Sequence, residues 1–260
     1  MEGELGLAGV ATWHNHTGDE DFSYCADKNL ALDEYARLLN ESPWERMAVT
    51  DHAFALALPK EVAWAWEWYW EPAIYDDYRD YRLKKTERYL KKLDNISDGR
   101  MLKGIEAEVM RDGRLSCDPE FREDFQVLIG AVHYLPLVEA GEDKILQEFI
   151  FQTERLWQHK VHILAHPTRI LEARKLPVPE DLLDFIVQGC RASGVALEIN
   201  SHVPSKHDGM LLQKCLASST AVALGTDTHH IDEFFDGGLY FAGLLKDVNH
   251  QALERILFQA

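Results

Sequence analysis

Gln126-Val-Leu-Ile-Gly-Ala-Val-His133 is the stretch that decides the fold. After Gln126 it is apolar or small without a break, and it ends on a histidine. A strand with one wet face alternates apolar and polar residues. An unbroken apolar run of this length reads as a strand covered on both faces, as in parallel sheets flanked by helices. Val161-His-Ile-Leu164 reads the same way and leads to a second histidine, His166. Working outward in both directions, the sequence predicts strands at Gly6–Thr12, Arg46–Thr50, Leu102–Val109, Phe125–Val132, Val161–Leu164, Val195–Ile199 and Ala221–Leu224. Between them lie helical spacings: Leu32, Tyr35, Leu38 and Leu39; Tyr89, Leu90 and Leu93; Leu146, Phe149, Ile150 and Leu156; and Leu182, Leu183, Phe185, Ile186 and Val187. Strands alternating with helices give a parallel α/β architecture, and their number favours a seven-stranded, slightly irregular TIM-like barrel over an eight-stranded one. No repeat, low-complexity tract or Gly/Ser linker interrupts residues 1–260, so one domain is expected.

The composition narrows the function classes. A chain of 260 residues with 46% hydrophobic residues can bury one sizeable core. With 27 Lys+Arg against 44 Asp+Glu the formal net charge is −17, which opposes long nucleic acids and anionic membranes as partners. A small anion remains compatible, because bound divalent cations reverse the local sign. The start, MEGELGLAGVATW, has no basic segment before its short apolar run, and no stretch of 18 apolar residues occurs. No secretory signal and no membrane span are therefore expected. Cys25, Cys117, Cys190 and Cys215 are scattered without a CxxC pattern and read as reduced thiols of a cytoplasmic protein, mostly packing residues.

Nine metal-type side chains recur at or near the strand ends: His14, His16, Asp21, His52, Glu106, His133, His166, Asp227 and His229. In a β/α barrel the C-terminal rim of the strands is where chemistry is placed. His14 and His16 are two apart, so on an extended chain both imidazoles face one side, and Asp227 and His229 repeat the arrangement. Carboxylates can bridge two cations, and Glu106, midway through a histidine-rich set, suits that role. A set of nitrogen and oxygen donors favours Zn, Mn or Fe without choosing among them. Two such cations lower the pKa of water and neutralise a transferring phosphoryl group. Asp51 is expected to orient a neighbour or hold a turn. Glu108 should face the same way as Glu106 and support the site from behind. Arg169, just after His166-Pro-Thr, could clamp a phosphate or simply cap a helix.

The ordered motifs HNHT, TDH, GIEAEV, GAVH, LAHP, LEIN and LGTDTH, from about Val10 to His229, resemble those of the PHP (polymerase and histidinol phosphatase) superfamily, and most closely its stand-alone phosphatases. The resemblance implies a distorted seven-stranded barrel with two or three divalent cations. His14, His16, Glu106 and Asp227 would hold the first. Glu106 would bridge to a second, completed by His133 and His166. Asp21, His52 and His229 would hold a third. Here the chain reads HNHTGDED, with Glu20 where the family often has serine, so Asp19 or Glu20 could replace Asp21.

The expected activity is hydrolysis of a phosphate monoester of a small metabolite by a metal-bridging hydroxide. Glu106, His229 and Arg169 are the residues expected to serve the chemistry, with His202 an alternative proton donor to His229. Phosphodiester or exonuclease action on short oligonucleotides, and a non-catalytic metal-binding role, are the alternatives. Trp64, Trp66, Trp68 and Trp70 lie in an excursion after the second strand, from Phe54 to about Tyr81. They could form an aromatic wall or lid for substrate, or an extra packed helix or dimer contact.

Overall fold

The fold is built on seven parallel strands, each hydrogen-bonded to the next in chain order: β1 (Ala11–Thr12), β2 (Arg46–Val49), β3 (Met101–Glu108), β4 (Val127–Ala131), β5 (Ile163–Leu164), β6 (Ala196–Asn200) and β7 (Val222–Gly225). The computed structural model describes residues 10–96, 99–136 and 141–260. The start of the first expected strand, at Gly6, lies outside the described residues. All seven strands occur where the sequence predicts them, with β1 and β5 trimmed to two residues each. Asp227 N donates to His14 O at 2.7 Å, Trp13 N donates to Leu224 O at 2.9 Å, and Asn15 bridges to Thr228. These contacts bring the last strand back to the first and nearly close a barrel.

The connections are helical: α1 (Leu32–Glu41), the chain of short helices α2 (Ala53–Ala57), α3 (Lys60–Ala65), α4 (Glu67–Trp70) and α5 (Pro72–Asp77), then α6 (Arg79–Ile96), α7 (Glu142–Gln158), α8 (Arg169–Ala173), α9 (Glu180–Ser193), α10 (Asp208–Ser218), α11 (Ile231–Leu245) and α12 (His250–Glu254). Helix α1 buries Leu32, Tyr35, Leu38 and Leu39, the face its spacing indicated. Helix α9 buries Leu182, Leu183, Ile186 and Val187. These faces pack on the outer side chains of the strands in one continuous core.

A second cluster fills the barrel itself with mostly small residues: Ala11, Trp13, Ala48, Leu102, Val127, Ile129, Ala131, Ile163, Ala165, Ala196 and Ala223. Strand alternation extends these inward positions to Glu106 and Glu108 on β3 and to Glu198 and Asn200 on β6. The interior thus turns from apolar to charged toward the C-terminal ends of the strands. A third cluster, around Phe54, Trp68, Tyr75 and Met110, supports the excursion after β2. Among the described residues no helix is long and apolar enough to cross a membrane.

Candidate metal centre

Glu106 projects from β3 into the mouth of the barrel and is fully buried. Its two oxygens face two different sets of histidines. Oε2 lies 2.8 Å from His52 Nδ1, 3.3 Å from His14 Nε2 and 3.6 Å from His16 Nε2. Oε1 lies 3.2 Å from His166 Nε2 and 3.4 Å from His133 Nε2. Asp227 joins the first set, with Oδ1 3.0 Å from His16 Nε2 and 3.6 Å from His14 Nε2. His229 Nδ1 is spent on the Asp227 carbonyl, at 2.7 Å.

Close as these atoms are, His14 Nε2, His16 Nδ1, His52 Nδ1 and Glu106 Oε2 are all buried without a hydrogen-bond partner. Orphaned buried polar atoms are costly, and three of these, His14 Nε2, His52 Nδ1 and Glu106 Oε2, meet at one point and call for something to satisfy them together. Donors bound at about 2.0–2.2 Å to one cation stand roughly 3.0–3.6 Å apart. Most of the spacings around Glu106 fall in that range, so the residues present fit a divalent cation on either side of its carboxylate.

The local backbone is shaped for this convergence. His166 and Asp227 adopt positive φ angles of 26° and 49°, conformations that non-glycine residues rarely hold and that gather at functional sites. Gly225, just before, leaves room that a side chain would close: a Cβ there would meet Glu198 Oε1 at 1.9 Å. Glu198 is the supporting residue that the sequence reading passed over. Its Oε1 is hydrogen-bonded to His14 Nδ1 at 2.8 Å, while Oε2 accepts from His166 N at 2.6 Å and from Asn200 Nδ2 at 3.0 Å.

Glu108 does the same for His133, with Oε1 2.9 Å from its Nδ1, and is itself fixed by Ser116 Oγ at 2.7 Å. Asp51 holds the turn after His16, accepting from the Thr17 amide and hydroxyl at 2.8 Å each. Carboxylates behind imidazoles set the tautomer and orientation that a metal requires.

Electrostatics divide the histidines. Burial lowers His16 and His166 to about 4 each. Burial alone would also lower His14, but Asp227, Glu106 and Glu198 outweigh it and hold the imidazole well above its ordinary range. His52 is raised in the same way by Glu106 and Cys25. Glu106 and Asp227 are burdened by burial, yet the surrounding histidines hold both well below the usual carboxylate range, helped at Asp227 by Arg169.

Eight of the nine candidate residues thus come together. Asp21 does not. Phe22 is buried against Tyr89 at 5.3 Å, which turns the preceding carboxylate outward. The Asp21 side chain is 71% exposed, with Arg88 3.9 Å away. Its neighbours are also engaged at the surface, Asp19 by Lys92 and Glu20 by Lys28 at 2.5 Å. Near the vacated place stands Cys25. Its Sγ lies within 4.8 Å of a nitrogen of His16 and one of His52, so the donor set is not purely nitrogen and oxygen. Burial would raise this thiol, but the imidazoles of His16, His52 and His229 bring it down to about 3. Cys117, Cys190 and Cys215 are packing residues, buried and raised.

Arg169 stands on the rim. It donates to Asp227 Oδ2 at 2.6 Å and to Asn200 Oδ1 at 2.5 Å, and its buried Nε has no partner. His202 stacks on His229 with ring centroids 4.6 Å apart and is tied to Glu233 at 3.0 Å. The cavity over the centre measures about 290 Å³ and is lined by Cys25, His52, Phe54, Trp64, Trp66, His133, Arg169, His202, Asp227 and His229. The four tryptophans divide: Trp64 and Trp66 line the cavity, Trp68 is fully buried, and Trp70 donates to Tyr134 Oη at 3.0 Å.

No protein-family model matches the chain. Over 214 residues it is 24% identical to the DNA polymerase/3'-5' exonuclease PolX of Bacillus subtilis (strain 168), which covers 81% of this chain and 34% of that protein. The chain therefore spans about a third of the length of that relative. A chain in the cryo-EM structure of an archaeal ribonuclease P with mature tRNA superposes with a TM-score of 0.52 at 13% identity, over 94% of this chain and 86% of its own. That likeness is one of fold.

Proposed function

We propose that the protein is a metal-dependent phosphoesterase of the PHP type that acts on a small phosphorylated metabolite. The observation that carries this reading is the convergence of imidazole nitrogens on the two oxygens of Glu106, His14 and His52 beside the unpartnered Oε2 and His133 and His166 beside Oε1. His14, His16 and Asp227 would hold one cation on the Oε2 side, and His133 and His166 a second on the Oε1 side. Zinc, manganese or iron would suit these donors. Such cations supply a water acidic enough to act as a nucleophile near neutral pH and offset the charge of the phosphoryl group.

The chain's own residues supply the rest. Glu198 and Glu108 hold the imidazoles of His14 and His133 in one orientation. Arg169 presents its guanidinium at the cavity wall, where it would orient an anion. His229, or His202 stacked on it, would return a proton to the leaving alkoxide. Phe54, Trp64 and Trp66 offer flat apolar faces beside these groups, which suits a substrate with a ring. At about 290 Å³ the cavity is at the small end for ligand pockets. Together with a net charge of −17 it favours a metabolite over a long nucleic acid. Four free cysteines suit a reducing compartment, and we place the protein in the cytoplasm.

A second reading, exonucleolytic cleavage of short oligonucleotides, is favoured by the similarity to a polymerase/3'-5' exonuclease. The two separate on p-nitrophenyl phosphate and bis(p-nitrophenyl) phosphate, assayed with metal-loaded protein. Faster turnover of the monoester is expected. Faster turnover of the diester supports the second reading. Inactivity of metal-replete protein on both, and on a broad phosphoester panel, overturns hydrolysis in favour of a metal-binding role.

A further inference from the structure

We propose that a second cavity, beside the metal centre, binds a further anionic group of the substrate through Lys175 and Lys206. The substrate is then a phosphomonoester whose organic body carries another phosphate or a carboxylate. The proposal rests on the phosphoesterase reading above and narrows its substrate class. The cavity measures about 720 Å³, well within the range of small-molecule sites, and shares Arg169 with the smaller cavity over the centre. Its walls come from α8 with the turn after it, and from the loop between β6 and α10. Arg169, Lys175 and Lys206 bring three cations to these walls and Glu172 one carboxylate, in a chain whose net charge is −17. Leu176, Pro177, Val203 and Pro204 supply apolar surface for an organic body.

Both lysines are positioned by the chain around them. Leu176 N donates to Leu171 O and Lys175 N to Glu172 O, at 2.9 Å each, which closes α8 in a Schellman turn. Lys175 takes the left-handed position of that turn, at φ 57°, where glycine is usual. A lysine there strains the backbone and sets a cation on the cavity wall. Ser205 pins the loop that carries Lys206. Its hydroxyl accepts from Thr168 Oγ1 at 3.1 Å and donates to Glu172 Oε1 at 3.0 Å, and its amide donates to Asp208 Oδ2 at 3.0 Å. Glu172 is thus engaged by the loop, with His207 Nε2 a further 3.4 Å away. Among the described residues neither Lys175 nor Lys206 has an ion pair. Six residues at about 1.5 Å each put Lys175 roughly 9 Å along the chain from Arg169. A span of that order would separate the second anionic group from the phosphoryl group that Arg169 would orient.

The test compares hexyl phosphate, 1,6-hexanediol bisphosphate and 6-(phosphonooxy)hexanoate as substrates of the metal-loaded, full-length protein. Both lysines are exposed, so the pair together is expected to favour the bisphosphate over hexyl phosphate about ten-fold in kcat/KM, through KM. The double variant Lys175→Gln/Lys206→Gln should reduce that ratio to the statistical advantage of two equivalent ends. Because each ratio is taken within one protein, partial loss of active variant cancels. An advantage for the carboxylate as well assigns the position to anions in general, and one for the bisphosphate alone assigns it to phosphate; either supports the subsite. A preference that the double variant keeps overturns the subsite. So does equal KM for all three substrates in the wild type, and both results leave the phosphoesterase reading standing. Failure to hydrolyse any of the three overturns both. In the wild type the preference should also shrink as salt is added, and a ratio indifferent to salt overturns the subsite.

Discussion

Glu198 never faces the cavity, yet it holds His14 by the ring nitrogen and His166 by the backbone. Replacing it with glutamine keeps the shape but takes away the charge that orients His14. Glu198→Gln is expected to weaken metal binding by about 10–100-fold, read as metal content at limiting metal, with the far-ultraviolet dichroism unchanged. Undiminished affinity would show that His14 needs no such partner. The sequence made the histidines legible because each follows an apolar run that could only be a buried strand. Glu198 was legible in principle, since Leu197-Glu-Ile-Asn200 alternates apolar and polar, but a lone carboxylate in a strand says nothing about which imidazole lies opposite. Asp21 and Cys25 show the limit of counting along the chain. In the irregular turns after His16 an offset in sequence does not set a direction in space, and burial of Phe22 decides which neighbours turn in.

The excursion after β2 shows the same limit at the scale of elements. Trp64, Trp66, Trp68 and Trp70 recur with a period of two, but the segment is helical and broken at Trp66, which sits at φ 58° between α3 and α4. The break releases the side chains from any common face. Trp68 goes into the core, with Nε1 donating to Ala63 O at 3.0 Å. Trp66 stacks between Trp68 at 5.3 Å and Tyr134 at 5.8 Å. Trp64 stays 44% exposed, edge-on to Phe54 at the cavity. One tryptophan is thus core and two border the cavity. Trp68→Ala is expected to cost about 3–5 kcal/mol in a urea melt. Trp64→Ala is expected to change stability by less than about 0.5 kcal/mol, yet to raise KM for an aryl phosphate up to about ten-fold with kcat kept. Equal KM in Trp64→Ala and wild type would remove the aromatic wall from the account of substrate binding. Strand order and helix faces were legible because apolar periodicity reports burial directly; the broken helices were not, because nothing local marks a left-handed tryptophan.

The whole molecule carries a net charge of −17, yet it gathers eight metal-type side chains at one end of its barrel. Without a cation that end is held by protons. His14 is kept charged despite its burial by Asp227, Glu106 and Glu198, and His52 by Glu106 and Cys25. A metal binds the neutral imidazole, so both protons must leave as it enters. Because both imidazoles are raised above their ordinary range, affinity is expected to fall as the pH drops through and below neutrality. Titration calorimetry at pH 7 in two buffers of different ionisation enthalpy should report release of roughly two protons per chain; a buffer-independent enthalpy would contradict this charge assignment. The central claim, that Glu106 lies between two cations, is tested most directly by anomalous scattering from a crystal of the metal-loaded protein. The account predicts one peak within about 2.0–2.2 Å of each Glu106 oxygen, one shared with His14, His16 and Asp227 and the other with His133 and His166. A metal-replete crystal with no anomalous peak at coordination distance from Glu106 would contradict it.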